Sequence, residues 1–255
     1  MAAKRRFVVG ARGSRLSRAQ TLGAIEFLES EFPRLRFRFA PVETPGDRDL
    51  STPIEKAAPN FFTRDLDDAL RNGKIDFAVH SAKDLPPQIP DDLDWFWLPC
   101  RADPRDALVT RRGTKASDAR VVGVSGARRE QYVRKNLPKA RTAVVRGAID
   151  SRIEQLRAGR FDALLMAMAG LNRLYGEGAD FWRDFAVAPI STAELQPPEG
   201  QGILAVTFRK GDANLGEIRR RFVKSVRFVS AGVGDADLVT VRGSKDIDEA
   251  EDETI

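Results

Sequence analysis

The sequence predicts an α/β protein built from two similar units with largely parallel sheets. Three observations carry that prediction. Short apolar runs of strand character alternate with amphipathic helical stretches along most of the chain. The alternation falls into two blocks, each of about 100 residues, the size of an ordinary domain. The blocks meet at "PCRADPRDALV" (99–109), a Pro-containing stretch suited to a crossing between units.

In order, "RFVVGAR" (6–12) reads as a strand ending in a glycine turn, and "LSRAQTLGAIEFLESEF" (16–32) as an amphipathic helix. "LRFRFAPVET" (35–44) alternates like a strand. "TPGDRDLSTPIEKAAPN" (44–60) is a loop rich in Pro, Gly and Asp. "FFTRDLDDALRNGK" (61–74) is helical and stops at Gly73, and the strand "IDFAVH" follows. The second block runs "ARVVGVS" (119–125, strand), "ARREQYVRKNL" (127–137, helix), "RTAVVRG" (141–147, strand), "DSRIEQLRAGR" (150–160, helix) and "FDALLMAMAGL" (161–171, strand). "LQPPEGQGILAVTFRKGD" (195–212) leads into the helical "ANLGEIRRRFVKSV" and a Gly- and Asp-rich tail with an acidic end. No internal sequence repeat is evident, so the likeness of the two blocks is architectural.

Composition narrows the function classes. A chain of 255 residues can bury a sizeable core. No apolar run approaches the roughly 20 residues a membrane helix needs, and the start "MAAKRRFVVGARGSR" lacks the apolar centre of a secretory signal. A single cysteine, Cys100, forms no internal disulfide and supplies too few ligands for a zinc cluster; beside Pro99 it reads as a partly buried small hydrophobe. These features point to the cytoplasm and to no membrane partner. The net charge of +5 is spread along the chain among acids, and no nucleic-acid-binding motif appears, so nucleic acid is not the expected partner.

Arginines instead recur at element ends, as a pocket for a small polyanion requires. "GARGSRLS" (10–17) places Arg12 and Ser14 in a strand-to-helix turn. "GVSGARRE" (123–130) repeats the arrangement with Ser125, Arg128 and Arg129. Two cations at the positive end of a helix dipole are unfavourable unless an anion joins them. "VVRGAIDSR" (144–152) adds Arg146 at a strand end and Arg152 in the next helix. In "DFAVHSAKDLP" (76–86), a loop leaving a buried strand holds Ser81, Lys83 and Asp84 beside His80, the only histidine. His80 is the default acid–base candidate by its ordinary pKa, though a strand-end histidine also serves as a plain hydrogen-bonded strut. Asp84 reads either as a turn cap before Pro86 or as a reactive carboxylate.

Taken together, "AVHSAKDLP", "RADPRDALV", "VVGVSGARREQ", "VVRGAIDSRIEQL", "FDALLMAMAGLNRL" and "PPEGQGILAV" resemble, in order and spacing, the porphobilinogen deaminase (hydroxymethylbilane synthase) family over residues 6–212. The resemblance implies two periplasmic-binding-protein-like domains with a hinged cleft, residues 1–100 with 196–224 and residues 101–195, followed by a tail over 225–255. It implies head-to-tail condensation of four porphobilinogen molecules, with release of ammonia, on a dipyrromethane cofactor. By position, Asp84 is then the catalytic carboxylate, and Arg12, Ser14, Ser81, Lys83, Ser125, Arg128, Arg129, Arg146 and Arg152 hold the acetate and propionate groups of substrate and oligopyrrole. The expected molecule is a monomer.

Two departures accompany the resemblance. The family's lysine- and glycine-rich lid corresponds here to "EKAAPNFFTRDL", which keeps Lys56 but neither the second lysine nor the glycines. The family's third α+β domain, whose cysteine anchors the cofactor, is expected to be absent, which leaves the attachment unknown and non-covalent holding open. "VRFVSAGVGDADLVTVRG" (226–243) faintly resembles the start of uroporphyrinogen-III C-methyltransferase, with no methyltransferase activity expected. The competing reading is a non-catalytic pyrrole- or carboxylate-binding protein on the same cleft.

Overall fold

The computed structural model describes residues 6–43, 60–176 and 180–223. Chain order gives β1 (Arg6–Arg12), α1 (Arg15–Glu31), β2 (Arg36–Val42), α2 (Arg64–Arg71), β3 (Phe77–Ser81), a 3-10 turn (Ala82–Asp84) and β4 (Leu93–Arg101). The second half follows as β5 (Asp106–Arg111), β6 (Val121–Val124), α3 (Ala127–Asn136), β7 (Arg141–Val144), α4 (Ile149–Arg157), β8 (Ala163–Ala167), α5 (Met168–Tyr175), α6 (Phe181–Asp184) and β9 (Phe185–Pro189). The chain then returns to the first half with β10 (Ile203–Arg209) and α7 (Ala213–Phe222).

Each half holds a five-stranded sheet, ordered β2-β1-β3-β10-β4 and β7-β6-β8-β5-β9. In both, the strand that runs against the other four is the one entering from the other half: β10 pairs antiparallel with β3 and β4, and β5 with β8 and β9. The largely parallel expectation therefore holds for strand direction, with one reversed strand per sheet.

Both faces of each sheet are covered, which is why the strands read as near-continuous apolar runs. On one face of the first sheet Phe7, Phe77, Val79, Phe96 and Phe208 pack against Ala24 and Leu28 of α1 and Leu215 and Ile218 of α7. On its other face Ala78 and Leu93 meet Leu66 and Leu70 of α2. Alternation along β3 sends Phe77 and Val79 one way and Ala78 the other. Full burial of a Leu or Phe of this kind contributes about 1.5–3 kcal/mol. Ser14 starts α1 by accepting the Ser17 amide on its hydroxyl (3.2 Å).

Two sequence expectations need correction. "FDALLMAMAGL" is not one strand: β8 stops at Ala167 and α5 begins at Met168. A run that is apolar throughout carries no period to mark the change. The repeat that the sequence hides is also real at the level of hydrogen bonds. Asp76 accepts the Val8 amide (2.6 Å) and Asp162 the Val121 amide (2.9 Å). Arg209 donates to the Leu70 and Ile75 carbonyls (2.7 and 2.8 Å), and Arg111 to those of Leu156 and Phe161 (2.6 and 2.8 Å). "GKID" (73–76) and "GRFD" (159–162) are thus one device used twice.

Candidate active site

The reactive turn sits where β3 ends. After Ser81 the chain tightens into the 3-10 turn Ala82–Asp84, and the Leu85 amide closes it on the Ala82 carbonyl (3.2 Å). Asp84 is half-buried there, and its carboxylate makes no hydrogen bond or ion pair among the described residues. The turn is backed by Gly200, whose φ of 71° belongs to the left-handed region. A methyl group at Gly200 would stand 2.9 Å from both the Ala82 Cβ and the Lys83 amide nitrogen, so only glycine lets this segment lie against the turn.

Lys83 is exposed as a residue but anchored at its tip. Its ammonium donates to Gln201 Oε1 (3.1 Å). Burial pushes its pKa down, opposed by the neighbouring charges of Asp84 and Asp106 and reinforced by those of Arg129 and Arg152. Gln201, only 1% exposed, passes the contact on: its Nε2 donates to the Pro104 carbonyl (2.6 Å) and to Asp106 Oδ1 (3.3 Å).

Asp106 is wholly buried at the start of β5. It accepts from Arg128 and, at 2.7 Å, from Arg129. Burial works to raise its pKa, but the two guanidinium groups overcome that and hold it below the ordinary carboxylate range. The paired cations opening α3 thus have an anion of their own inside the protein. The sequence argument that they call for an external anion is corrected to that extent. Arg128 also donates to the Gln196 carbonyl (2.9 Å).

Ser125 accepts from Arg129 (3.0 Å) and Arg152 (3.2 Å), joining the ends of β6 and α4. Arg152 in addition donates to the Gly147 carbonyl (2.7 Å). Burial, with Arg129 and Arg146 close by, brings its pKa down to about 10, while the Asp84 charge acts the other way. It remains a cation at neutral pH. Arg129, Arg146 and Asp84 therefore all act on the charge of Arg152, Asp84 from the other half.

On the first half, the Arg12 guanidinium lies over the Phe62 ring (4.6 Å) at the end of β1. Ser81 is held by Gln20 of α1, whose Nε2 donates to its hydroxyl (3.0 Å). Ser14 is occupied as the cap of α1.

His80 is buried with its Nε2 2.8 Å from the Thr207 hydroxyl of β10. Burial, with Arg12 second, pushes its pKa down to about 4, so it is neutral at physiological pH and serves as a strut. Cys100 is exposed near the end of β4, not partly buried as its sequence context suggested: it shares the parity of buried Phe96 and Leu98, but burial along the strand ends at Leu98 and Pro99, Cys100 and Arg101 are all exposed. Lys56 and residues 226–243 lie outside the described residues.

The sequence reading passed over Asp106, Gln201 and Gln20. For Asp106 a signal existed: a carboxylate opening the apolar run "DALV" must be paired if the strand is buried. Gln201 and Gln20 carry no such mark.

The two chain passes between the halves are themselves tied. The Ala102 amide donates to the Gly202 carbonyl (3.0 Å), which also accepts from Arg173 of α5 (2.6 Å). Gly202, at φ 90°, lies so close that a Cβ would stand 2.3 Å from the Ala102 oxygen.

Comparison with known proteins places the sequence in a family. A family model described as "Porphobilinogen deaminase, dipyromethane cofactor binding domain" matches residues 7–217. The chain is 35% identical to porphobilinogen deaminase of Syntrophobacter fumaroxidans over 214 residues, 82% of this chain and 67% of that protein. It is 36% identical to the Exiguobacterium sibiricum enzyme over 218 residues (84% and 69%) and 37% to that of Deinococcus radiodurans over 215 (82% and 68%). Among solved structures, the Bordetella pertussis BvgS VFT2 domain superposes with a TM-score of 0.48 at 15% identity, covering 88% of each chain. The substrate-binding protein of an amino acid ABC transporter gives 0.47 at 13%, covering 97% and 98%. By its own sequence over most of its length, the chain belongs to the porphobilinogen deaminase family.

Proposed function

We propose that this chain condenses four porphobilinogen molecules head to tail, releasing ammonia at each coupling, as a hydroxymethylbilane synthase of tetrapyrrole biosynthesis, and that Asp84 is its reactive carboxylate. The supporting observation is the placement of Asp84 within electrostatic reach of Arg152, on opposite sides of the space between the halves. We take residues 1–100 with 196–224 as one domain and 101–195 as the other, acting as a cytoplasmic monomer. Among the described residues no helix is long and apolar enough to cross a membrane.

The donor set fits a polycarboxylate. Arg12, Arg128, Arg129, Arg146 and Arg152 carry the charge, with Lys83 and the hydroxyls of Ser14, Ser81 and Ser125 beside them. The same residues would hold the acetate and propionate groups of a dipyrromethane cofactor, which would supply the terminal pyrrole for chain extension. Each charge-assisted hydrogen bond contributes about 1.5–3 kcal/mol, so several of them retain a growing oligopyrrole without a large apolar contact.

Asp84 carries the chemistry. Loss of ammonia from the aminomethyl group leaves positive charge on the pyrrole, and a fixed carboxylate near the ring nitrogen stabilises it where it develops and accepts a proton. Asp84→Asn is expected to fold and keep its anion binding. Its rate of ammonia and tetrapyrrole production should fall by about two to three decades, equivalent to losing about 3–4 kcal/mol of transition-state stabilisation. A variant with near-parental turnover overturns the assignment.

A further inference from the structure

Lys83 and Asp84 are neighbours in the chain and carry opposite charges, yet the ammonium is bonded to an uncharged amide 118 positions away. The acceptor is held on three sides. Its oxygen takes the ammonium, its nitrogen reaches the Pro104 carbonyl and Asp106, and its own backbone carbonyl accepts from Arg101 (3.2 Å). Gly200, next to it, fits against the backbone of the reactive turn with no room for a side chain. Gln201 therefore cannot drift from Lys83 without moving the turn.

We propose that Gln201 is a positioning residue: its amide oxygen draws the Lys83 ammonium away from Asp84, leaving that carboxylate unneutralised for the pyrrolic cation. An Asp–Lys pair inside the turn would cancel the charge the reaction needs. A neutral acceptor solves this, because it holds the ammonium by a hydrogen bond without adding a second carboxylate. The proposal rests on Asp84 as the reactive carboxylate and adds to that reading the reason it stays available. Among the described residues, the charged groups acting on Lys83 are Asp84, Asp106, Arg129 and Arg152, with Arg146 acting on Arg152 behind them.

The test follows the Lys83 ammonium directly, by NMR titration of lysine-labelled protein, with its signal assigned from its absence in Lys83→Arg. In Gln201→Met the ammonium loses its acceptor. If it turns onto Asp84, its pKa rises by about one unit, and in Gln201→Met with Asp84→Asn that rise disappears. If Gln201 only fills space, the released ammonium turns to water, and whatever change its pKa shows survives Asp84→Asn. A fall, or a rise that survives Asp84→Asn, overturns the proposal. Gln201→Asn, one methylene shorter, makes the same withdrawal should Gln201→Met fail to fold. Turnover is expected to drop about tenfold or more in Gln201→Met with KM within about twofold, the split of a group serving the transition state. Activity of Asp84→Asn tests the catalytic assignment, and the Lys83 titration tests this one whatever that activity proves to be.

Discussion

The two halves share a frame and differ in what they hang on it. With Asp76 set against Asp162 and Leu70 against Leu156 by their common hydrogen bonds, the first half aligns to the second residue by residue. His80 then stands where the second half has Met166, and Lys83 and Asp84 where it has Ala169 and Gly170. On one side the strand ends in a short turn bearing a carboxylate. On the other it runs straight into α5 and packs. The guanidinium groups follow the opposite rule, since Arg152 of α4 takes the place of buried Leu66 in α2. One framework thus presents the carboxylate of Asp84 from one side, with Arg12 and Lys83 near it, and Arg129 and Arg152 from the other, and chemistry enters through a few positions after each strand.

The largest expected effect comes from the junction between them. Asp106→Ala leaves Arg128 and Arg129 without their buried counter-ion and should cost about 3–5 kcal/mol of stability, read as a lowered denaturant midpoint. Loss below 1 kcal/mol would mean that the arginines are adequately solvated and that the halves do not depend on this carboxylate.

A smaller effect sharpens the equivalence itself. Arg111→Met and Arg209→Met each remove a guanidinium that bonds two carbonyls at the junction of helix and strand. Each should cost about 1–3 kcal/mol, and the two costs should agree to within about 1 kcal/mol. A severalfold disparity in unfolding free energies would show that the shared bonds are not energetically equivalent.

The smallest lies where the frames disagree. Asp67 of α2 occupies the position of core residue Ile153 in α4. Burial, partly offset by Thr63 and Arg71, pushes its pKa up to about 6. The folded protein then keeps a proton that the unfolded chain releases from about pH 4 upward, so this residue takes stability away as pH rises from 4 to 6. Asp67→Asn should therefore gain about 1–2 kcal/mol on the parent at pH 7, with the gain gone below pH 4. Thermal melts at the two pH values check it; a gain of equal size at both would place its origin outside titration. His80 acts in the reverse sense, since its pKa of about 4 makes stability fall as pH drops from 6.5.

Much of this was legible in the sequence because strands buried on both faces and helices with a clear period advertise themselves. The turn with Ser81, Lys83 and Asp84 and the arginines at element ends were legible too, since charge next to an apolar run needs a reason. The repeat was not, because "GKIDFAV" and "GRFDALL" share only a glycine and an aspartate once the apolar residues are exchanged. Nor was the boundary inside "FDALLMAMAGL", where nothing polar marks the bend. Gln201 was illegible for a different reason: a neutral amide has no charge to account for, and its importance lies wholly in partners brought from residues 83, 104 and 106.

The return of the chain through β10 has a consequence for biosynthesis. The second sheet is encoded without interruption and can close as soon as β9 leaves the ribosome. The first must wait, for β4 has no neighbour in its sheet until β10 slots between it and β3. During synthesis, then, the arginine-rich unit can mature first, and the lysine beside the aspartate gains its amide partner among the last contacts made.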